Sequence, residues 1–143
     1  MENSYRSILE GYDPGNHRNI YCGYMNPDIQ RAFARFVQTI LDRIYGPRQR
    51  ITFIYYGRSG LILAAACCGH NPDRSYTLAK ENEGIAEGRE IIFVDDHIES
   101  GKAFRKACAV FSTVPKKAIS ITGQYDPDVF TETEVLTLGT ANV

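Results

Sequence analysis

Asp95 and Asp96, followed closely by Ser100-Gly101-Lys102, are the residues of this chain best suited by type and spacing to do chemistry. Four apolar residues, Ile91-Ile92-Phe93-Val94, precede them and read as a buried strand, so the acidic pair falls at that strand's carboxyl end. Carboxylates there can hold a hydroxylated or metal-bound ligand. The small turn that follows opens a helix, and backbone N–H groups at such a turn suit a phosphate. One ligand carrying both a sugar diol and a phosphate would satisfy both halves. Adjacent strand residues point to opposite faces, so Asp95 and Asp96 cannot do identical jobs while the strand persists. Past its end one can face the ligand and the other a loop or a hydrated Mg²⁺, which commonly takes one or two carboxylates plus phosphates. The plain alternative is a solvated strand end with a capping carboxylate. The Gly101-Lys102 pair is not a nucleotide-triphosphate loop, because that motif needs glycine five positions earlier, where Asp96 stands.

The elements that must position these residues alternate between strand and helix. Asn26-Pro27-Asp28 opens a helix: Asn caps, Pro suits the first position and Asp complements the dipole. Ile29, Phe33, Phe36, Val37, Ile40, Leu41 and Ile44 share one face, and Gly46-Pro47 stops it. Residues 51–56 read as a strand, followed by Gly57-Arg58-Ser59-Gly60 as a loop and an apolar helix over 61–68. Residues 76–80 form a short strand, 80–89 a polar connection, and 101–112 a helix with Phe104, Ala107, Cys108 and Phe111 inward. Strands follow over 118–122 and 135–138. The pattern predicts an α/β fold with a mostly parallel, Rossmann-like sheet flanked by helices, whose ligands bind beyond the carboxyl ends of the strands. Both glycine-bearing loops would then meet at one crevice. Residues 1–25 are expected to be an irregular or hairpin-like N-terminal arm or partial hood, with 26–143 as the core domain.

The chain's 143 residues suit one domain, and 43% hydrophobic with 23% charged residues is ordinary for a globular protein. A formal net charge of -1 argues against an electrostatic grip on nucleic acid or an anionic membrane. No stretch approaches the roughly 20 apolar residues that span a bilayer. Residues 1–6 lack the order of a signal peptide, so the expected setting is cytoplasmic. Cys22, Cys67, Cys68 and Cys108 have neither zinc nor redox spacing and are expected to be reduced and mostly buried.

Residues 91–103 resemble the signature of the type I phosphoribosyltransferases, which bind phosphoribosyl pyrophosphate (PRPP). The resemblance covers roughly residues 29–122. It implies that Asp95 and Asp96 meet the ribose hydroxyls directly or through Mg²⁺, and that Glu99, Ser100, Gly101, Lys102 and Ala103 wrap the 5′-phosphate. It makes Gly57, Arg58, Ser59 and Gly60 the pyrophosphate loop, with the 80–89 connection as a candidate lid through which Lys80 or Arg89 would reach pyrophosphate. Glu99 occupies the position of a carboxylate that assists proton transfer in purine-type members, and His97 a position usually apolar. The implied activity is Mg²⁺-dependent transfer of the phosphoribosyl group to a nucleobase with release of pyrophosphate, by a homodimer. The alternative is a non-catalytic PRPP- or nucleotide-binding regulator on the same fold. Tyr12, Tyr21, Tyr24 and Tyr125 are candidates to stack on a base and Gln124 to read its edge. A phosphorylation-receiver domain also pairs acids at a strand end, but places them after its first strand.

Overall fold

The computed structural model describes residues 4–81, 83–141 and 143. Alternation along the strands explains its two cores. In β1 (Arg50–Ile54), Ile51 and Phe53 face one side of the sheet and Ile54 the other; in β3 (Arg89–Val94), Ile92 and Val94 join the first side and Phe93 the second. Both faces are therefore apolar, as expected of central strands in a parallel sheet. With β2 (Tyr76–Leu78), β5 (Lys117–Ile119) and β7 (Glu134–Leu136) they build a five-stranded, all-parallel sheet in the order β2-β1-β3-β5-β7. The register sets Ile54 beside Phe93 and Val94 beside Ile119.

The first face is covered by α2 (Pro27–Ile44) and α3 (Gly57–His70), with α1 (Ser4–Glu10) packed on α2. Asn26 caps α2 by accepting from the backbone N–H groups of Asp28 and Ile29, as its sequence predicts. The second face is covered by α4 (Lys102–Phe111), where Phe104 meets Phe93 edge-on with ring centres 5.3 Å apart. Strand order thus reverses between β1 and β3: the chain leaves β1 toward β2 and leaves β3 toward β5. A crevice opens at such a reversal.

Several expectations change. The N-terminal arm contains the helix α1 and a 3-10 turn, Pro14–Asn16, capped by the Asp13 side chain. Tyr5 and Leu9, one helical turn apart, are buried, with the Tyr5 ring 6.3 Å from that of Phe36. A helix this short gains its stability from such packing, not from its own propensity. Residues 1–3 of the arm lie outside the described residues. Residues 57–60 are the first turn of α3, which begins four residues earlier than the expected 61–68 helix. The expected 118–122 strand divides: β5 ends at Ile119, and β6 (Thr122–Gly123) pairs instead with β4 (His97–Ile98) in a second, two-stranded sheet.

All four cysteines are free. Cys67 is buried, which pushes its thiol well above the usual range, while Cys22, Cys68 and Cys108 are only half-buried. Among the described residues no helix is long and apolar enough to cross a membrane.

Candidate functional site

Asp95 and Asp96 lie in the break between the main sheet and the small one. The Asp95 N–H donates to the Ile119 carbonyl, while the Asp96 carbonyl accepts from the N–H groups of Ile121 and Thr122. Backbone pinned in this way has left strand geometry, so the two side chains need not point to opposite faces. Both are nearly buried. Asp95 Oδ1 accepts the Ser59 hydroxyl at 3.0 Å and its neighbour's N–H, that of Asp96, at 2.8 Å. Asp96 Oδ2 accepts the hydroxyl of buried Tyr12, which follows α1.

Burial and the adjoining Asp96 carboxyl drive the Asp95 pKa well above its ordinary value of 3.8. Burial also pushes Asp96 upward, but hydrogen bonds from Asp95, Tyr12 and Ser59 outweigh it, so Asp96 titrates below the ordinary range. The Tyr12 hydroxyl is raised by burial and by the neighbouring Asp96. The two carboxyls are thus driven in opposite directions, Asp95 up and Asp96 down. This has a consequence for stability. A carboxyl whose folded-state pKa is raised loses stability as pH climbs from its unfolded value through the folded one. Asp95→Asn, which keeps an acceptor for Ser59, is expected to raise the midpoint of thermal unfolding above that folded pKa. The gain should fade to nothing below about pH 4, near the unfolded value of Asp, and a pH series of melting curves checks it.

Gly101 precedes α4 with φ +82, a left-handed conformation that favours glycine. A Cβ there would meet Val129 Cγ1 at 2.5 Å. Gly60 is tight for another reason: a Cβ would stand 2.9 Å from the Val94 carbonyl oxygen. The Gly60 contact presses the first turn of α3 against the end of β3, and the Gly101 contact packs the turn before α4 on Val129 and Phe130.

An open cavity of about 420 Å³ lies beside them, lined by Asp95, Glu99, Ser100, Gly101, Lys102 and Ala103, with Tyr56 and Lys106 among its other walls. Asp96 is not among the lining residues; its carboxylate is taken up by the arm. Ser100 Oγ accepts the Lys102 N–H at 3.3 Å, which leaves its own proton for a ligand. The Glu99 side chain is 76% exposed and lies 3.6 Å from His97 Nε2, while His97 Nδ1 is 2.8 Å from the Thr122 hydroxyl. His97 therefore links Glu99 to the small sheet, which gives a polar residue a reason to stand where the resemblance expects an apolar one.

The residues expected to meet pyrophosphate or to form a lid are placed differently. Gly57 and Arg58 are exposed in the first turn of α3, and only Ser59 of that turn reaches an aspartate. Lys80 and Arg89 line a separate cavity along β2. Arg89 opens β3 at the amino end of the sheet, where its guanidinium donates to the Thr52 hydroxyl and to the Ile51 and Ser75 carbonyls. The expectation that it serves as a lid cation fails for that reason: it clasps the seam between β1 and β2. Asn82 of the same connection lies outside the described residues. Among the aromatic candidates, Tyr12 and Tyr24 are buried, Tyr125 packs edge-on against Phe130, and Tyr21 is exposed. Sequence reasoning passed over Tyr56, read only as the strand's last residue, and Lys106, whose spacing of four from Lys102 was the available signal.

No protein-family model matches the sequence, and no curated protein matches it. The fold is similar to that of solved structures. An adenine phosphoribosyltransferase superimposes with a TM-score of 0.55 at 13% identity, over 80% of this chain and 82% of that one. Leishmania donovani UMP synthase superimposes with a TM-score of 0.58 at 13% identity over 96% of this chain, which spans 35% of that protein.

Proposed function

We propose that this chain, whose fold is that of the type I phosphoribosyltransferases, moves the phosphoribosyl group of PRPP to a nucleobase and releases pyrophosphate. The observation that supports this most is the 3.0 Å hydrogen bond from Ser59 to Asp95. It joins the turn after β1 to the acidic pair after β3 across the crevice, beside a cavity of about 420 Å³. A fold alone would not carry a function; this conjunction of carboxylates, hydroxyls and a helix-opening turn fits a phosphorylated sugar.

In this reading the N–H groups of residues 99–103, the Ser100 hydroxyl and the start of α4 hold the 5′-phosphate. Asp95 accepts a ribose hydroxyl, and Asp96, fixed by Tyr12, holds the other side of the pair. The bond from the anomeric carbon to pyrophosphate breaks with its electron pair leaving on the pyrophosphate oxygen. A base nitrogen forms the new bond to that carbon, and Glu99, exposed at the cavity wall with His97 beside it, takes the nitrogen's proton. The donor set at the pair is oxygen only, and among the described residues no third His, Cys, Asp or Glu joins it. That suits Mg²⁺ brought in on the ligand's phosphates better than a resident ion, with Asp95 as its contact at the cavity wall and Asp96, held by Tyr12, behind it. When bound there it would neutralise the charge of the leaving group.

Incubation with PRPP, Mg²⁺ and a panel of purine and pyrimidine bases tests the proposal. Nucleotide and pyrophosphate should appear together with at least one base. PRPP binding with no release across the panel would favour a non-catalytic binding protein, and absence of PRPP binding would sink the reading.

A further inference from the structure

The leaving pyrophosphate is the most highly charged part of the proposed ligand, and the cations expected to meet it lie elsewhere. Arg58 does not line the cavity, and Lys80 and Arg89 line another one. The lysine and arginine residues that do line it are Lys102 and Lys106. They stand four apart on α4 and so share a face of that helix. Lys102 belongs to the turn that would hold the 5′-phosphate. Lys106 stands about 6 Å farther along the axis, at about 1.5 Å per residue.

Lys106 does not simply extend into solvent. Its ammonium lies 5.3 Å from the centre of the Tyr56 ring, within reach of a cation–π attraction. Tyr56 is the residue before Gly57, on the β1 side of the crevice, and it is 39% exposed at the cavity wall. A lysine ammonium has three donors and needs none of them for the ring face. The cavity therefore carries two positive points, Lys102 at the α4 turn and Lys106 beside the Tyr56 ring on the β1 side. A single phosphate at the α4 turn uses only the first.

We infer that Lys106, steered by the Tyr56 ring, binds the second anionic group of the ligand, the pyrophosphate, in place of a basic lid. The inference rests on the function proposed above and assigns a residue to it. Tyr56 is a positioning residue in this scheme, and Lys106 alone touches the ligand.

Calorimetric titrations of the whole chain with PRPP and with ribose 5-phosphate, each with Mg²⁺, test it. Lys106→Met should weaken PRPP by about 10- to 100-fold, as expected for a lost charge-assisted hydrogen bond. Ribose 5-phosphate, which lacks the pyrophosphate, should bind within about twofold of the native affinity, set by the N–H groups and Ser100 instead. Lys106→Arg should retain most of the PRPP affinity. Tyr56→Leu should weaken PRPP by a smaller factor that Tyr56→Phe does not reproduce. Equal weakening of both ligands by Lys106→Met, or no weakening of either, overturns the assignment. A native chain that binds ribose 5-phosphate and PRPP equally well also overturns it. A native chain that binds neither overturns the proposed function itself, which is a separable result. Lys106 is exposed on α4, so its substitution leaves the core intact.

Discussion

Joint replacement of Asp95 and Asp96 by asparagine is expected to lower PRPP affinity by about 10²- to 10⁴-fold while the chain stays folded. Hydrogen bonds to charged groups contribute about 1.5–3 kcal/mol each. Two of them amount to roughly 3–6 kcal/mol, and about 1.4 kcal/mol is a factor of ten in binding. Asparagine keeps the shape of aspartate and an acceptor oxygen. Ser59 and the Asp96 N–H can still donate to position 95, and Tyr12 to position 96. The fold should therefore survive, and with Asp95 gone a buried carboxyl under strong desolvation is removed. Between the single variants, Asp95→Asn should account for more of the lost affinity, because Asp95 lines the cavity and Asp96 faces the arm. Calorimetric titration, with circular dichroism to verify folding, is the measurement. Native-like affinity in the double variant would mean that the acidic pair does not hold the sugar.

The second large effect concerns the turn proposed to hold the phosphate. Gly101→Ala is expected to cost about 2–5 kcal/mol of stability. A non-glycine residue in the left-handed region costs roughly 1–2 kcal/mol. The added methyl also meets Val129 Cγ1 at 2.5 Å and Phe130 Cε2 at 3.3 Å, and overpacking of this kind costs about 1–3 kcal/mol. Against a typical total of about 5–15 kcal/mol, such a loss is readily measured in urea. Adding Val129→Ala should return the steric part and leave the backbone part. That separation makes the test specific: a single variant within about 0.5 kcal/mol of native would contradict the turn's geometry. Because the 5′-phosphate would sit on this turn, the same substitution should weaken ribose 5-phosphate as well as PRPP. Lys106→Met, by contrast, should spare ribose 5-phosphate.

Much of the scaffold was legible in the chain itself. Asn26-Pro27-Asp28 and Gly46-Pro47 marked the ends of α2, because capping and helix stops are local chemistry read from a few residues. The apolar run 91–94 followed by two acids and a glycine turn marked the strand, the site and α4 in order, since burial on both faces demands an unbroken apolar run. The arm was harder to read. Tyr5 and Leu9 form a helix only because α2 offers them a surface, and no local signal shows that surface. The helical reach of residues 57–60 was hidden for a similar reason. Glycines there suggest a loop until the Val94 carbonyl, close enough to exclude a side chain from Gly60, shows why glycine is needed inside a helix.

By itself the sequence determined the alternation of the core strands and helices, the acidic pair and the glycine turn before α4, because these depend on periodicity, capping and backbone freedom within short segments. Only the tertiary structure decided what those residues meet. It set Ser59 on Asp95, Tyr12 on Asp96, Lys106 against Tyr56, and Arg89 at the far end of the sheet. Each of these contacts joins residues from different elements: the crossing of the chain between β1 and β3 brings together the first and third, and the packing of the arm on α2 supplies the second. Side-chain partners across that distance follow from topology, which no local run of residues encodes.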